Sequence, residues 1–219
     1  MKVVSKKLKS ARNKTLELVA PAKEESKTPI LDSLQQAKEP AVLYFTDEAM
    51  VKMMTLVMSC SLEVGWQGIV EKKEKGVYLI KDVFTYPQAT SAANIWIDDL
   101  RFGIWQANLC MEDPDRFDSI RLHGHSHVNM STFASGEDRL LQYYWTEALQ
   151  ENQFYIFLII NKRLEYWCKI VDREDGLLYE KALIDTETCA VGSILKDSSE
   201  NVNTIVKREE AWYGRKQVL

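Results

Sequence analysis

Histidine is scarce in this chain: three residues among 219, His123, His125 and His127, all within one pentad. That scarcity excludes metalloenzymes that gather histidines from several distant strands. It also excludes the HExxH arrangement, which needs two histidines four apart on a helix. The four cysteines, Cys60, Cys110, Cys168 and Cys189, are scattered and form no CxxC pair. This argues against a disulfide framework or a structural zinc knuckle and for buried free thiols. No apolar run approaches the roughly 20 residues of a membrane span; the clearest, Phe154 to Ile160, is strand-sized. The N-terminal lysines are followed by no apolar stretch of signal-peptide type, so a cytoplasmic location is expected. A formal net charge of -4 gives no bulk attraction to nucleic acid or an anionic membrane, and neither is an expected partner.

What is present divides into three parts. Residues 1–40 are lysine-rich and polar, punctuated by Pro21, Pro29 and Pro40, and read as a flexible basic arm with one short helical piece near Pro29 to Ala37. The cluster Lys6, Lys7, Lys9, Arg12 and Lys14 reads as a solvated tail. Residues 41–185 carry the patterns of one domain, and residues 186–219 form a polar C-terminal extension in which Trp212 and Tyr213 stand out. Within the domain, Ala41 to Phe45 reads as a strand and Thr46 as a helix cap. Met50, Met53, Met54, Leu56, Val57 and Met58 then follow with helical spacing up to about Leu62, and the methionine stripe reads as core filling. Strands are expected at Trp66 to Glu71, Val77 to Tyr86, Ser119 to Leu122, Phe154 to Ile160, Leu164 to Val171 and Leu177 to Ile184. Helices are expected at Asp99 to Met111 and Gly136 to Glu151, the latter with Leu140, Leu141, Tyr144, Trp145 and Leu149 on one side. Strands alternating with helices indicate an α/β or α+β domain.

The chemistry lies in His125-Ser126-His127, then seven residues, then Ser135-Gly136-Glu137-Asp138. A spacing of two cannot put both imidazoles on one helix face, but it puts them on one side of an extended strand, where they can share a metal. HxH alone is a weak signal. Taken alone, Ser135-x-x-Asp138 before an apolar helix reads better as a capping box. The two readings are compatible, because a helix start there favours a carboxylate and leaves it near the strand end. Amidohydrolase barrels and HxH phosphoesterases need further histidines, and zinc deaminases need HxE with a later PCxxC, which is absent. A His, His, Asp site remains well supplied.

With Glu63 upstream, in Leu62-Glu63-Val64-Gly65-Trp66-Gln67-Gly68, these residues resemble the signature of the JAMM (JAB1/MPN+) metallopeptidases: Glu, a long gap, His-Ser-His, seven residues, Ser, two residues, Asp. The resemblance covers roughly Ala41 to Asp185. It implies a single JAB/MPN domain, a curved mixed β-sheet flanked by helices and related to the cytidine deaminase architecture. It further implies Zn2+ held by His125, His127 and Asp138, with Glu63 as general base and Ser135 stabilising the oxyanion. Ser126 and His123 take supporting places behind the ligands. The flanks are closer to prokaryotic and phage-encoded JAB proteins: Val128 stands where eukaryotic members usually have proline, and His123 where they have an aromatic residue. The implied activity is hydrolysis of a peptide or isopeptide bond, with a protein or peptide substrate of ubiquitin-like type. The competing function is a non-catalytic MPN-type scaffold, a branch that generally lacks the ligands present here. Loops at 88–97 and 129–134 bound a candidate substrate groove.

Overall fold

Alternation of period two in Ala41–Phe45 (β2) buries Ala41, Leu43 and Phe45 and leaves Val42 and Tyr44 half-buried. Thr46 ends the strand and starts a helix, its hydroxyl accepting from Ala49 N at 3.2 Å. The helix, Asp47–Ser59 (α2), buries Ala49, Met50, Met53, Met54 and Val57, so three methionines of the stripe are core as expected, whereas Met58, at the helix end, is 41% exposed. A computed structural model of the protein describes residues 29–90, 95–96 and 99–185. The proposed basic arm as far as residue 28, the C-terminal extension with Trp212 and Tyr213, and Cys189 lie outside the described residues. The expectation of buried free thiols is met at Cys168 and not at the exposed Cys110.

The remaining elements in chain order are α1 (Ile30–Ser33) and β1 (Gln35–Gln36), which precede β2, and then β3 (Gly65–Glu74), β4 (Val77–Thr85), β5 (Ala89–Thr90) and β6 (Ile95–Trp96). They are followed by α3 (Asp99–Glu112), α4 (Pro114–Asp118), β7 (Ile120–Ser126), α5 (Gly136–Glu147), β8 (Phe154–Ile160), β9 (Tyr166–Asp172), β10 (Leu177–Tyr179) and β11 (Ala182–Asp185). Nine strands make one mixed sheet in the order β1-β10-β9-β8-β7-β3-β4-β2-β11, and β5 pairs only with β6.

Two sequence expectations are corrected. Order was expected to begin at Ala41, but α1 and β1 belong to the fold. Ile30 N donates to the Glu147 carboxylate at 2.8 Å, and β1 runs parallel to β10. Leu177 to Ile184 is two strands rather than one. Its first part pairs antiparallel with β9 and its second parallel with β2, at opposite ends of the sheet order. Only Glu180 and Lys181 separate them, a link of about 10 Å at full stretch. The sheet therefore curls until its two ends nearly meet. One core, with the α2 methionines, Trp66, Leu122, Ile156, Leu158 and Ile170, fills the curled face. A smaller cluster, Leu149, Tyr155, Phe157 and Val171 with Trp145, lies on the other. The architecture is a curled mixed sheet flanked by helices, of α+β type. No helix among the described residues is long and apolar enough to cross a membrane.

Helix α5 is shorter than the expected Gly136 to Glu151, and its inward face is rotated. Leu140 and Tyr144 are exposed at 55% and 62%, whereas Gln142 and Thr146 are buried. Hydrophobic spacing misled here because this helix covers a polar site instead of an apolar core.

Candidate metal centre

Strand β7 is central, between β3 and β8, and carries His123 and His125 near its end with His127 just beyond it, in keeping with the reading of the pair as a strand end. Alternation places Arg121, His123 and His125 on one face and Leu122, Gly124 and Ser126 on the other. The antiparallel register with β3 sets Gly65 opposite His125. Carrying that register one step further sets Val64 opposite Ser126, and two hydrogen bonds hold it there. Ser126 N donates to Val64 O at 2.9 Å, and Val64 N donates to Ser126 Oγ at 3.1 Å. One more step brings Glu63 opposite His127, on the same face as His125. Ser126, fully buried, thus clamps the backbone beside Glu63 from behind the ligand strand.

Two glycines are required by close approach. A Cβ on Gly124 would lie 2.3 Å from Trp66 Nε1, so the indole can cover the strand between the two histidines only if that position is bare. A Cβ on Gly65 would lie 2.2 Å from the Tyr86 hydroxyl. The Gln88 side chain pairs with both backbone groups of Gly65, at 2.7 and 2.9 Å, and so continues the ladder where β4 has ended.

One ligand-capable atom from each of His125, His127 and Asp138 lies within 4.8 Å of the others. His125 Nε2 and Asp138 Oδ1 are 3.4 Å apart, the separation of two ligands held at roughly 2.0–2.1 Å in a tetrahedron. His127 Nδ1 is 2.7 Å from Ser131 O. A carbonyl only accepts, so Nδ1 carries the proton and Nε2 keeps its lone pair for a ligand. Asp138 serves both readings made from sequence. Its Oδ2 accepts from Ser135 N at 2.7 Å, and Ser135 Oγ accepts from Asp138 N at 3.1 Å, completing the capping box. Its Oδ1 is the oxygen that faces His125. Ser135 keeps its hydroxyl hydrogen available to donate.

The electrostatics match a site short of positive charge. Glu63 is 4% exposed, and its Oε1 has no hydrogen-bond partner. Burial, and then the charge of Asp138, push its pKa up to about 7. Burial holds His125 below its usual range, with the neighbouring His127 adding to the effect against the pull of Asp138. Burial opposes the charge on Asp138, but the His125 ring and the Ser135 contacts outweigh it and keep its pKa low. Among the described residues no lysine or arginine pairs with Glu63 or Asp138. Two imidazoles with free lone pairs, one carboxylate and a second buried carboxyl group form a donor set that fits a divalent cation of the zinc class.

Neither a family model nor a curated protein matches this chain. The site therefore stands on its own geometry.

His123 lies beside the centre. It is 6% exposed, packed edge-on against Trp145 at 4.6 Å and stacked near Tyr86 at 5.9 Å. Burial pushes its pKa down to about 3, so the ring is neutral. Sequence reasoning missed Gln88, Ser131 and Asn161. Asn161 donates from Nδ2 to Met130 O at 2.8 Å, while its Oδ1 accepts from Arg163 N at 2.9 Å. It thereby holds the loop that supplies Ser131 to His127. No sequence signal marks these three, because each acts through a backbone group brought near only by folding. The turn after His127 takes Val128 to φ 44°, and proline, fixed near -65°, cannot adopt that angle. The Val128 departure noted in sequence thus coincides with a left-handed backbone next to a ligand. Of the expected groove, residues 129–134 are described, and Phe133 is 58% exposed with its ring 6.1 Å from His127. Residues 91–94 and 97–98 of the opposite side lie outside the described residues.

Proposed function

We propose that the protein is a zinc-dependent peptidase or isopeptidase of the JAMM type, built on a JAB/MPN domain of cytidine deaminase-like architecture. The observation that carries the reading is the convergence of His125, His127 and Asp138 with the buried, unpaired Glu63 placed opposite them by strand register. His125, His127 and Asp138 would hold the ion. When bound, zinc supplies Lewis-acid activation of water and of the scissile carbonyl.

The chain's own residues do the rest. Glu63, with a pKa near neutrality, takes a proton from water and passes it to the leaving amine. Ser135 donates its hydroxyl to the developing oxyanion, while its Oγ and amide keep Asp138 in place. The Ser131 carbonyl fixes the tautomer of His127. His123, Tyr86 and Trp145 exclude water from the inner side of the ligand strand. Exposed Phe133 offers an apolar surface to an extended substrate segment, in keeping with a protein or peptide substrate of ubiquitin-like type.

The test is zinc content together with cleavage of a fluorogenic isopeptide or a ubiquitin-like fusion. The wild type is expected to hold about one zinc per chain and to cleave. Glu63→Gln is expected to keep the metal and lose rate by about 10²–10⁴-fold, the range of general acid–base catalysis. Full metal loading with no cleavage by wild type would favour a scaffold with a bound ion, and no zinc binding would end the proposal.

A further inference from the structure

Beyond His123, on the same face of the sheet and toward the start of β7, lies a cleft of about 280 Å³. Gln67, Gln106, Arg121, Trp145, Leu149 and Tyr155 line it. Arg121 is four residues before His125, so the cleft and the metal centre are separated by about 13 Å of strand. Trp145 lies between them, with one contact on His123 and another on Tyr155 at 5.2 Å.

Two features of the cleft have no structural use in the fold. The half-buried Arg121 guanidinium donates only to the carbonyl of Ile120, at 2.8 Å, and among the described residues no carboxylate lies within ion-pair distance of it. Asp118 attracts it through space without forming an ion pair, and a guanidinium partly withdrawn from water with no bonded acidic partner is costly. Gln67 is 2% exposed, and its Oε1 accepts no hydrogen bond. A buried, unpartnered amide oxygen beside an unpaired cation, in a concave space with aromatic walls, is the arrangement of a ligand pocket.

We propose that this cleft binds a small monocarboxylate with a flat apolar body and a hydroxyl or amine donor. The planar fork of Arg121 matches a carboxylate in two parallel bonds. No lysine or second arginine lines the cleft, so one negative charge suits it better than the higher charge of a phosphate monoester. Trp145, Tyr155 and Leu149 take the apolar body, and the Gln67 carbonyl takes the donor. The volume lies just below the 300–1,000 Å³ typical of ligand pockets, which fits one small molecule and not a peptide. Trp145 stands near the end of α5 and Asp138 in its first turn, so an occupant would brace the helix that carries a proposed metal ligand.

The probe is 3-phenyllactate, with 3-phenyllactamide and 3-phenylpropionate as controls lacking the charge and the hydroxyl. Binding to the full chain is followed by saturation-transfer NMR and isothermal titration. The acid is expected to bind the wild type saturably and roughly tenfold more tightly than the amide, with phenylpropionate weaker than phenyllactate. Arg121→Gln should abolish the preference for acid over amide. Gln106→Glu, which adds a carboxylate to the lining of the same cleft at nearly constant volume, should do the same. Circular dichroism and melting temperature check that each variant is folded, and either folded variant suffices. Equal binding of acid and amide, no saturable binding of the acid to wild type up to about 10 mM, or unchanged acid preference in a folded variant would each overturn the proposal. Zinc content is read separately, so a failed metal centre and a failed cleft are distinguishable.

Discussion

Two groups of buried ionisable side chains sit on this sheet, and they are finished to different degrees. The first joins β3, β4 and the turn after β9. Asp172, fully buried, accepts from the Tyr78 hydroxyl at 2.6 Å and from Asp175 N at 3.0 Å, and pairs with Lys72 Nζ at 2.9 Å. Lys72 also meets Glu174 and Asp175, at 3.0 and 2.8 Å. There a single lysine meets the buried Asp172 and the two carboxylates that flank it. The second group, at the end of β7, sets Glu63 and Asp138 among histidine rings, with the Glu63 Oε1 unpaired. One cluster is closed by a lysine. The other has the same need for a cation and, among the described residues, no lysine or arginine to meet it. The contrast separates a structural latch from a binding site: burial alone is common to both, and unmet charge is not.

The comparison can be broken from either side. The largest effect on stability is expected at the latch. Lys72→Met should cost about 3–5 kcal/mol, because it leaves Asp172 buried without its cation. Urea denaturation at pH 7 measures it, and a cost below 1 kcal/mol would show the latch to be dispensable. At the other cluster, zinc should take the part that Lys72 plays at the first. At a free concentration 100 times its dissociation constant it should stabilise the wild type by about 2.7 kcal/mol. Asp138→Asn keeps an oxygen to cap Ser135 N but lacks the charge, and should lose that gain. Thermal melts with and without zinc would show it.

The smallest effect concerns metal-free protein and pH. Glu63 has a folded pKa of about 7 against an ordinary 4.5, so between these values the folded chain binds more protons than the unfolded one. Stability should therefore fall as pH rises through that window, by roughly 2–3 kcal/mol in all. Glu63→Gln should flatten the profile and be the more stable protein at pH 8. Equal slopes for wild type and variant between pH 5 and pH 8 would show that Glu63 is not held as described.

Legibility in sequence followed how local each signal was. Thr46 as a cap, the α2 methionines and the box at Ser135 and Asp138 depend on residues within a few positions of one another, and they are as read. The inward face of α5 was misread because hydrophobic spacing assumes an apolar neighbour, and this helix lies over histidines. The division of Leu177 to Ile184 was invisible because both halves are strand-like, and the break reflects only which edge each half reaches. Gln88 and Asn161 left no trace because they hold Gly65 and Met130, distant in the chain, and Ser131 left none because its backbone carbonyl reaches His127 only through the path the loop takes on folding.

By itself the sequence determined the donor types and their alternation along one strand, because a period of two is a property of extended backbone and needs no partner. Only the tertiary structure decided that Glu63 stands opposite His127, that Asp138 turns one oxygen to its cap and the other to His125, and that Arg121 faces an open cleft. Those facts depend on strand register, the curl of the sheet and the seating of a helix. All three are set by contacts between residues tens of positions apart.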